Sequence, residues 1–160
     1  TAYELSLGLV GSEMCIRDSG KPLLIAINPG GQGDISKTHL KWELNRSIPE
    51  IPSPLLYKDL IYMIRNGGLL AAIEASTGKL IYRERINAPG HYSASPIGSN
   101  NHIYLSSNRG IVSVVRANRK FKIIHQYDLQ SPIHATPAID KDSLYIRTEK
   151  SLWAFRNQNN

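Results

Sequence analysis

Between Leu60 and Arg85 the chain sets short apolar runs between turn residues, at a spacing that suits strands and no helix. Leu60 to Ile64 and Leu69 to Ala75 are apolar almost throughout, as expected of strands covered on both faces. Lys79 to Arg85 begins apolar and ends Arg83-Glu84-Arg85, the pattern of an outer strand. Asn66-Gly67 is a favoured two-residue hairpin turn. Gly78 supplies the positive φ of a second reversal, since it has no Cβ to clash. Ser76 and Thr77 are expected to hydrogen-bond that turn's backbone, and the Glu74 carboxylate to accept from its free N–H groups.

The same pattern returns along the chain. Ser53-Pro54, Ser95-Pro96 and Thr136-Pro137 mark three copies, 42 and 41 residues apart. Eight residues beyond each proline stands a tyrosine in an apolar run: Tyr62, Tyr104 and Tyr145. Gly68 and Gly110 lie fourteen residues beyond the first two prolines, and a further apolar run follows in every copy. A period of about 40–45 residues with four short strands is the mark of a propeller blade. The fold class is therefore all-β, a β-propeller of four-stranded antiparallel blades. Pro54 to Tyr57 is the innermost strand, where a proline at the first position leaves no ladder hydrogen bond unmade.

Leu23 to Ile27 and His39 to Leu44 read as the third and outer strands of a partial blade. The loop between them, Pro29-Gly30-Gly31-Gln32-Gly33-Asp34, leads into no helix and fits no nucleotide-binding spacing. The expected organisation is a partial blade over residues 20–46, blades over 53–86, 94–128 and 135–156, and a polar tail over 157–160. That makes about three and a half blades, an incomplete ring, with further blades of the same chain expected upstream. Leu9 to Asp18 resembles the translation of a transposase adapter used in sequencing libraries. Residues 1–19 are therefore set aside as an artefact and expected to be disordered.

Setting them aside changes the charge. The chain has 19 Lys and Arg against 13 Asp and Glu. Residues 1–19 hold Arg17 against Glu4, Glu13 and Asp18, so 18 against 10 remain, a net +8. These charges are scattered, and the tightest cluster, Arg116 to Lys122, reads as a solvated hairpin end; no nucleic-acid partner is expected. No apolar run approaches the ~18 residues of a membrane span. Cys15 is the only cysteine, so residues 20–160 offer no disulfide, thiol nucleophile or cysteine metal site.

The segment Ala72-Ile73-Glu74-Ala75-Ser76-Thr77-Gly78-Lys79, with Tyr82 four residues after the glycine, resembles the repeat of the pyrroloquinoline-quinone-like propellers. Their pattern is Ala-x-Asp, then Gly, then Trp; here Glu74 stands for the acid, Tyr82 for the tryptophan, and Trp42 holds the tryptophan place of the preceding blade. The second copy departs, with Val114, Arg116 and Lys120 at the Ala, Asp and Gly positions. The resemblance covers residues 20–156. It implies a non-catalytic binding or scaffold propeller, periplasmic or secreted, with a protein or small-molecule ligand left open.

The alternative that the resemblance carries is a fragment of a quinone-dependent dehydrogenase, which uses calcium-held pyrroloquinoline quinone, an aspartate base and a vicinal disulfide. Residues 20–160 have no Cys-Cys pair and no clustered carboxylates suited to calcium. A sensor or recognition domain joined to an upstream module is the third reading. By analogy with propellers, ligands are expected on the face carrying the loops into the innermost strands and the turns joining second to third strands. That face holds Glu50, His91, Tyr92, Asn108, Arg109 and His134, with Glu149 and Lys150. His91 and His134 from adjacent blades lack the third ligand of a metal site, so neither a metal site nor a catalytic residue is assigned. His39, His102 and His125 read as structural, as do the aromatics Trp42, Tyr57, Tyr62, Tyr82, Tyr104, Tyr145 and Trp153.

Overall fold

The computed structural model describes residues 8–11, 22–35 and 37–156. Among them, fourteen strands form four antiparallel sheets in chain order. The first sheet has three strands, β1 (Gly8–Gly11), β2 (Leu24–Ile27) and β3 (Leu40–Leu44). The second has four, β4 (Leu55–Tyr57), β5 (Leu60–Arg65), β6 (Leu69–Glu74) and β7 (Leu80–Arg85). The third repeats them as β8 (Ile97–Ser99), β9 (His102–Ser106), β10 (Ile111–Arg116) and β11 (Ile123–Asp128). The fourth has β12 (Ala138–Asp140), β13 (Ser143–Arg147) and β14 (Leu152–Arg156). Each sheet is a simple up-and-down meander, and among the described residues the four sheets do not close a ring.

The expected strands and periods are therefore present. Leu60, Ile61, Tyr62, Met63 and Ile64 are all buried, and they alternate between two cores. Ile61, Met63, Ala71 and Ile73 pack with Leu24, Ala26 and Trp42 of the first sheet. Leu60, Tyr62, Ile64, Leu70 and Ala72 pack with Ile103, Leu105 and Val115 of the third. Sheets stacked face to face thus account for the unbroken apolar runs. The third-to-outer hairpin carries a bulge at the same place in three sheets, at Ala26/Ile27, Ala72/Ile73 and Val114/Val115. Such bulges increase local twist and let flat ribbons splay as blades.

Four expectations need correction. First, Arg65 pairs with Leu69, so the β5–β6 turn is three residues, Asn66-Gly67-Gly68, and not the two-residue Asn66-Gly67 reversal. Both glycines have positive φ, and a Cβ on Gly68 would stand 2.8 Å from the Ala88 carbonyl oxygen. Second, the Glu74 carboxylate accepts from the Thr77 hydroxyl at 2.7 Å, while the N–H groups of Thr77 and Gly78 go to the Glu74 backbone carbonyl. Third, the segment set aside at the N-terminus contains β1, which pairs with β2 from Gly8↔Ile27 to Gly11↔Leu24. Backbone pairing to an open strand edge asks little of the side chains. Residues 1–7 and 12–19, and the tail 157–160, lie outside the described residues. Fourth, the apolar run at β14 is exposed along its whole length, unlike β6 and β10, because among the described residues no sheet stacks beyond the fourth to cover it.

Candidate ligand face

The Ser/Thr-Pro landmarks turn out to stitch the sheets together. The Ser53 N–H donates to Ser95 Oγ at 2.9 Å, and the Ser95 N–H donates to Thr136 Oγ1 at 2.9 Å. Each hydroxyl thus receives the N–H of its own counterpart one repeat earlier. Ser93 Oγ also donates to the His134 carbonyl at 3.2 Å. The residue before each proline is held extended, which aims its hydroxyl at the preceding sheet.

On the same face, turns between second and third strands are tied to the loops entering the sheets. The Gly67 N–H donates to the Gly90 carbonyl at 2.8 Å, and Asn66 Oδ1 accepts the Tyr92 N–H at 2.8 Å. One repeat on, Asn108 Oδ1 accepts the His91 N–H at 2.9 Å, and the Asn108 N–H returns to the His91 carbonyl at 2.9 Å. In the fourth sheet the Glu149 N–H donates to the Pro132 carbonyl at 3.0 Å. Asn66 also donates from Nδ2 to Glu50 Oε2 at 2.9 Å.

Within this frame the sequence candidates separate. Glu50, His91, Arg109, His134, Glu149 and Lys150 are exposed, and Asn108 is half-buried, its amide committed to the His91 backbone. Tyr92 is not a surface group: it is 1% exposed, and its hydroxyl donates to the Ala88 carbonyl at 2.7 Å. Burial raises the ionisation of that phenol above its ordinary value. His134 Nε2 lies 3.3 Å from Glu149 Oε1, a solvent-exposed pair between the loop entering the fourth sheet and the β13–β14 turn. Arg109 lies over Gly90, where an added Cβ would approach its side chain to 3.2 Å. Among the described residues no three His, Cys, Asp or Glu side chains converge, so they form no calcium or transition-metal cluster.

Asn66 escaped the sequence reading as more than a turn residue. Its signal was the Asn-Gly pair, but the partners of its amide lie 16 and 26 residues away. On the opposite face, Arg119 was also missed. It donates from one guanidinium nitrogen to Asp59 Oδ2 at 3.1 Å and from the other to Glu74 Oε1 at 2.7 Å. The second copy's departure from the repeat pattern thus places a cation against the preceding sheet's acids. The Thr77 hydroxyl and then Arg119 hold the Glu74 carboxyl below its ordinary value of 4.5.

Trp42 and Gly78 complete the repeat logic. The Trp42 Nε1–H donates to the Ala75 carbonyl at 3.0 Å, and its ring lies over Gly78, which has φ 72°. A Cβ on Gly78 would stand 2.8 Å from that ring. Tyr82 holds the corresponding position one sheet later and packs against Phe121, ring centroids 5.6 Å apart, but its hydroxyl makes no hydrogen bond like that of the Trp42 indole.

Three- and four-stranded meanders stacked in sequence, with an Ala-x-acid, Gly, aromatic segment joining the first two, define a pyrroloquinoline-quinone-like β-propeller. The family profile described as outer membrane protein assembly factor BamB matches residues 13–160, and the chain belongs to that family. BamB from Moraxella catarrhalis is similar in structure, with a TM-score of 0.68 at 15% identity, over 94% of this chain and 43% of that one. A quinohemoprotein alcohol dehydrogenase, ADHIIG from Pseudomonas putida HK5, gives 0.61 at 14% identity, over 80% of this chain and 26% of that one. The computationally designed Ika8 protein gives 0.63 at 12% identity, over 88% and 44%. The chain thus spans less than half the length of these structures, and at such identities the likeness is one of fold. No curated protein sequence matches the chain.

Proposed function

We propose that this chain is a non-catalytic scaffold propeller of the bacterial envelope that docks another protein through the face bearing His91, Arg109 and His134. The observation that carries the reading is the hydrogen-bonded frame beneath those residues. Turns and entering loops are fastened to one another through Asn66, Asn108 and the Ser/Thr-Pro hydroxyls. A rigid backbone with exposed polar side chains suits recognition, because little ordering entropy is lost on binding. Membership of a family described by an outer membrane assembly factor supports the envelope location, although fold alone does not set function.

The likeness to a quinohemoprotein dehydrogenase supports the second reading, a piece of a quinone enzyme. The described residues do not fit the calcium that would hold the quinone, since no acidic cluster is present among them.

A photo-reactive amino acid at position 109, compared with one at position 118 on the opposite face, tests the proposal in cells. Discrete adducts with an envelope protein from position 109 alone are expected. Equal labelling from both positions overturns the docking face. Alcohol-dependent dye reduction on supplying pyrroloquinoline quinone and calcium to the purified chain overturns the scaffold reading in favour of the enzyme.

A further inference from the structure

The interface between the third and fourth sheets is unlike the one before it. Toward the third sheet, the second presents Leu60, Tyr62, Ile64, Leu70, Ala72 and Tyr82, all members of one core cluster. The matching register of the third sheet puts His102, Tyr104, Ser106, Val112, Val114 and His125 in those places, facing the fourth sheet. Leucine, isoleucine and tyrosine are thereby replaced by histidine, serine and histidine. The buried cluster on this side shrinks to Val112, Ile133 and Ile146. What remains is a cleft of about 630 Å³.

Its walls are apolar, from Val112, Val114, Leu144 and Ile146, with the aromatic rings of Tyr104 and Phe155. One end, beside the β12–β13 turn, is polar and carries Lys141 and Arg156 against the single carboxylate of Asp142. Arg156 Nε is already fixed by donating to Ser143 Oγ at 3.3 Å. The volume falls within the ~300–1,000 Å³ of small-molecule sites, which pair apolar walls with a few placed polar groups. A guanidinium beside an ammonium matches a planar carboxylate or a sulfonate.

We propose that this cleft binds a small amphipathic anion, its flat apolar body between Tyr104, Val114 and Leu144 and its acid group toward Lys141 and Arg156. The site is separate from the docking face and does not depend on it. His102 and His125, which the sequence marks as structural, line the cleft.

The probe is 8-anilinonaphthalene-1-sulfonate, with uncharged N-phenyl-1-naphthylamine as comparison. Trp153 stacks on Phe155, centroids 6.2 Å apart and planes within 8°, so its emission reports occupancy by energy transfer. Trp42, buried between the first two sheets, is the distant reference. Saturable one-to-one binding with quenching of Trp153 is expected. Lys141→Gln with Arg156→Gln should weaken the sulfonate at least tenfold and leave the neutral probe unchanged; both side chains are exposed, and an unchanged melting curve checks that the fold is kept. Val114→Phe should weaken both probes. Binding at many sites, or binding indifferent to Val114→Phe or to loss of the two cations, overturns the proposal.

Discussion

Gly78→Ala isolates the contact that joins the first two sheets. The substituted residue must keep φ near 72°, which costs an L residue roughly 1–2 kcal/mol. Its Cβ would stand 2.8 Å from Trp42 Cδ2 and 2.9 Å from Cε3, on a ring pinned by its bond to the Ala75 carbonyl. Overpacking of that kind costs roughly 1–3 kcal/mol. The expected loss is therefore about 3 kcal/mol, a fall in melting temperature of roughly 6–12 °C for a chain of this size. Urea titration followed by far-UV circular dichroism measures it, and a second background apportions it. With Trp42→Leu the clash disappears and only the backbone cost remains, so Gly78→Ala should then cost about 1–2 kcal/mol. An equal cost in both backgrounds would refute the claim that the indole, rather than the turn alone, requires glycine there.

Three further outcomes follow from side chains in the cores and across the sheets. Tyr82 Oη is buried with no hydrogen-bond partner, so Tyr82→Phe should be neutral or stabilising by up to ~1 kcal/mol; a clear loss of urea midpoint would reveal a partner. Burial, followed by the charge of Asp59, pushes the Tyr62 phenol up to about 12. A group raised in the folded state stabilises below its unfolded value and loses that contribution as pH rises through its folded one. The protein should thus weaken between pH 10 and 12, less so in Tyr62→Phe, as read by alkaline melting curves. Glu74, held low by Thr77 and Arg119, contributes above its unfolded value and loses that as pH falls through its folded one. Arg119→Gln should shrink this acid-side dependence and the salt sensitivity of the melt; identical acid limbs in the two proteins would remove the ion pair's role.

The strands, the period and the propeller class were determined by the sequence alone, because they rest on local rules. Unbroken apolar runs such as Leu60 to Ile64 report burial on two faces, and Gly78 reports a reversal whatever lies around it. Turn length was less secure: Asn66-Gly67 favours two residues locally, but Gly68 joins the turn because its backbone meets Ala88 and Ile86 from the chain beyond β7.

Partners across sheets were decided only by tertiary structure. The hydroxyls of Ser95 and Thr136, the amide of Asn66 and the guanidinium of Arg119 each find groups many residues away, set by how neighbouring sheets stack. The same stacking buried Tyr92, which a loop position had put on the surface, and left His102 and His125 along a cleft. A side chain's period along one strand tells which face it takes. What fills the space opposite depends on the next sheet, about 40 residues on, and no local pattern carries that information.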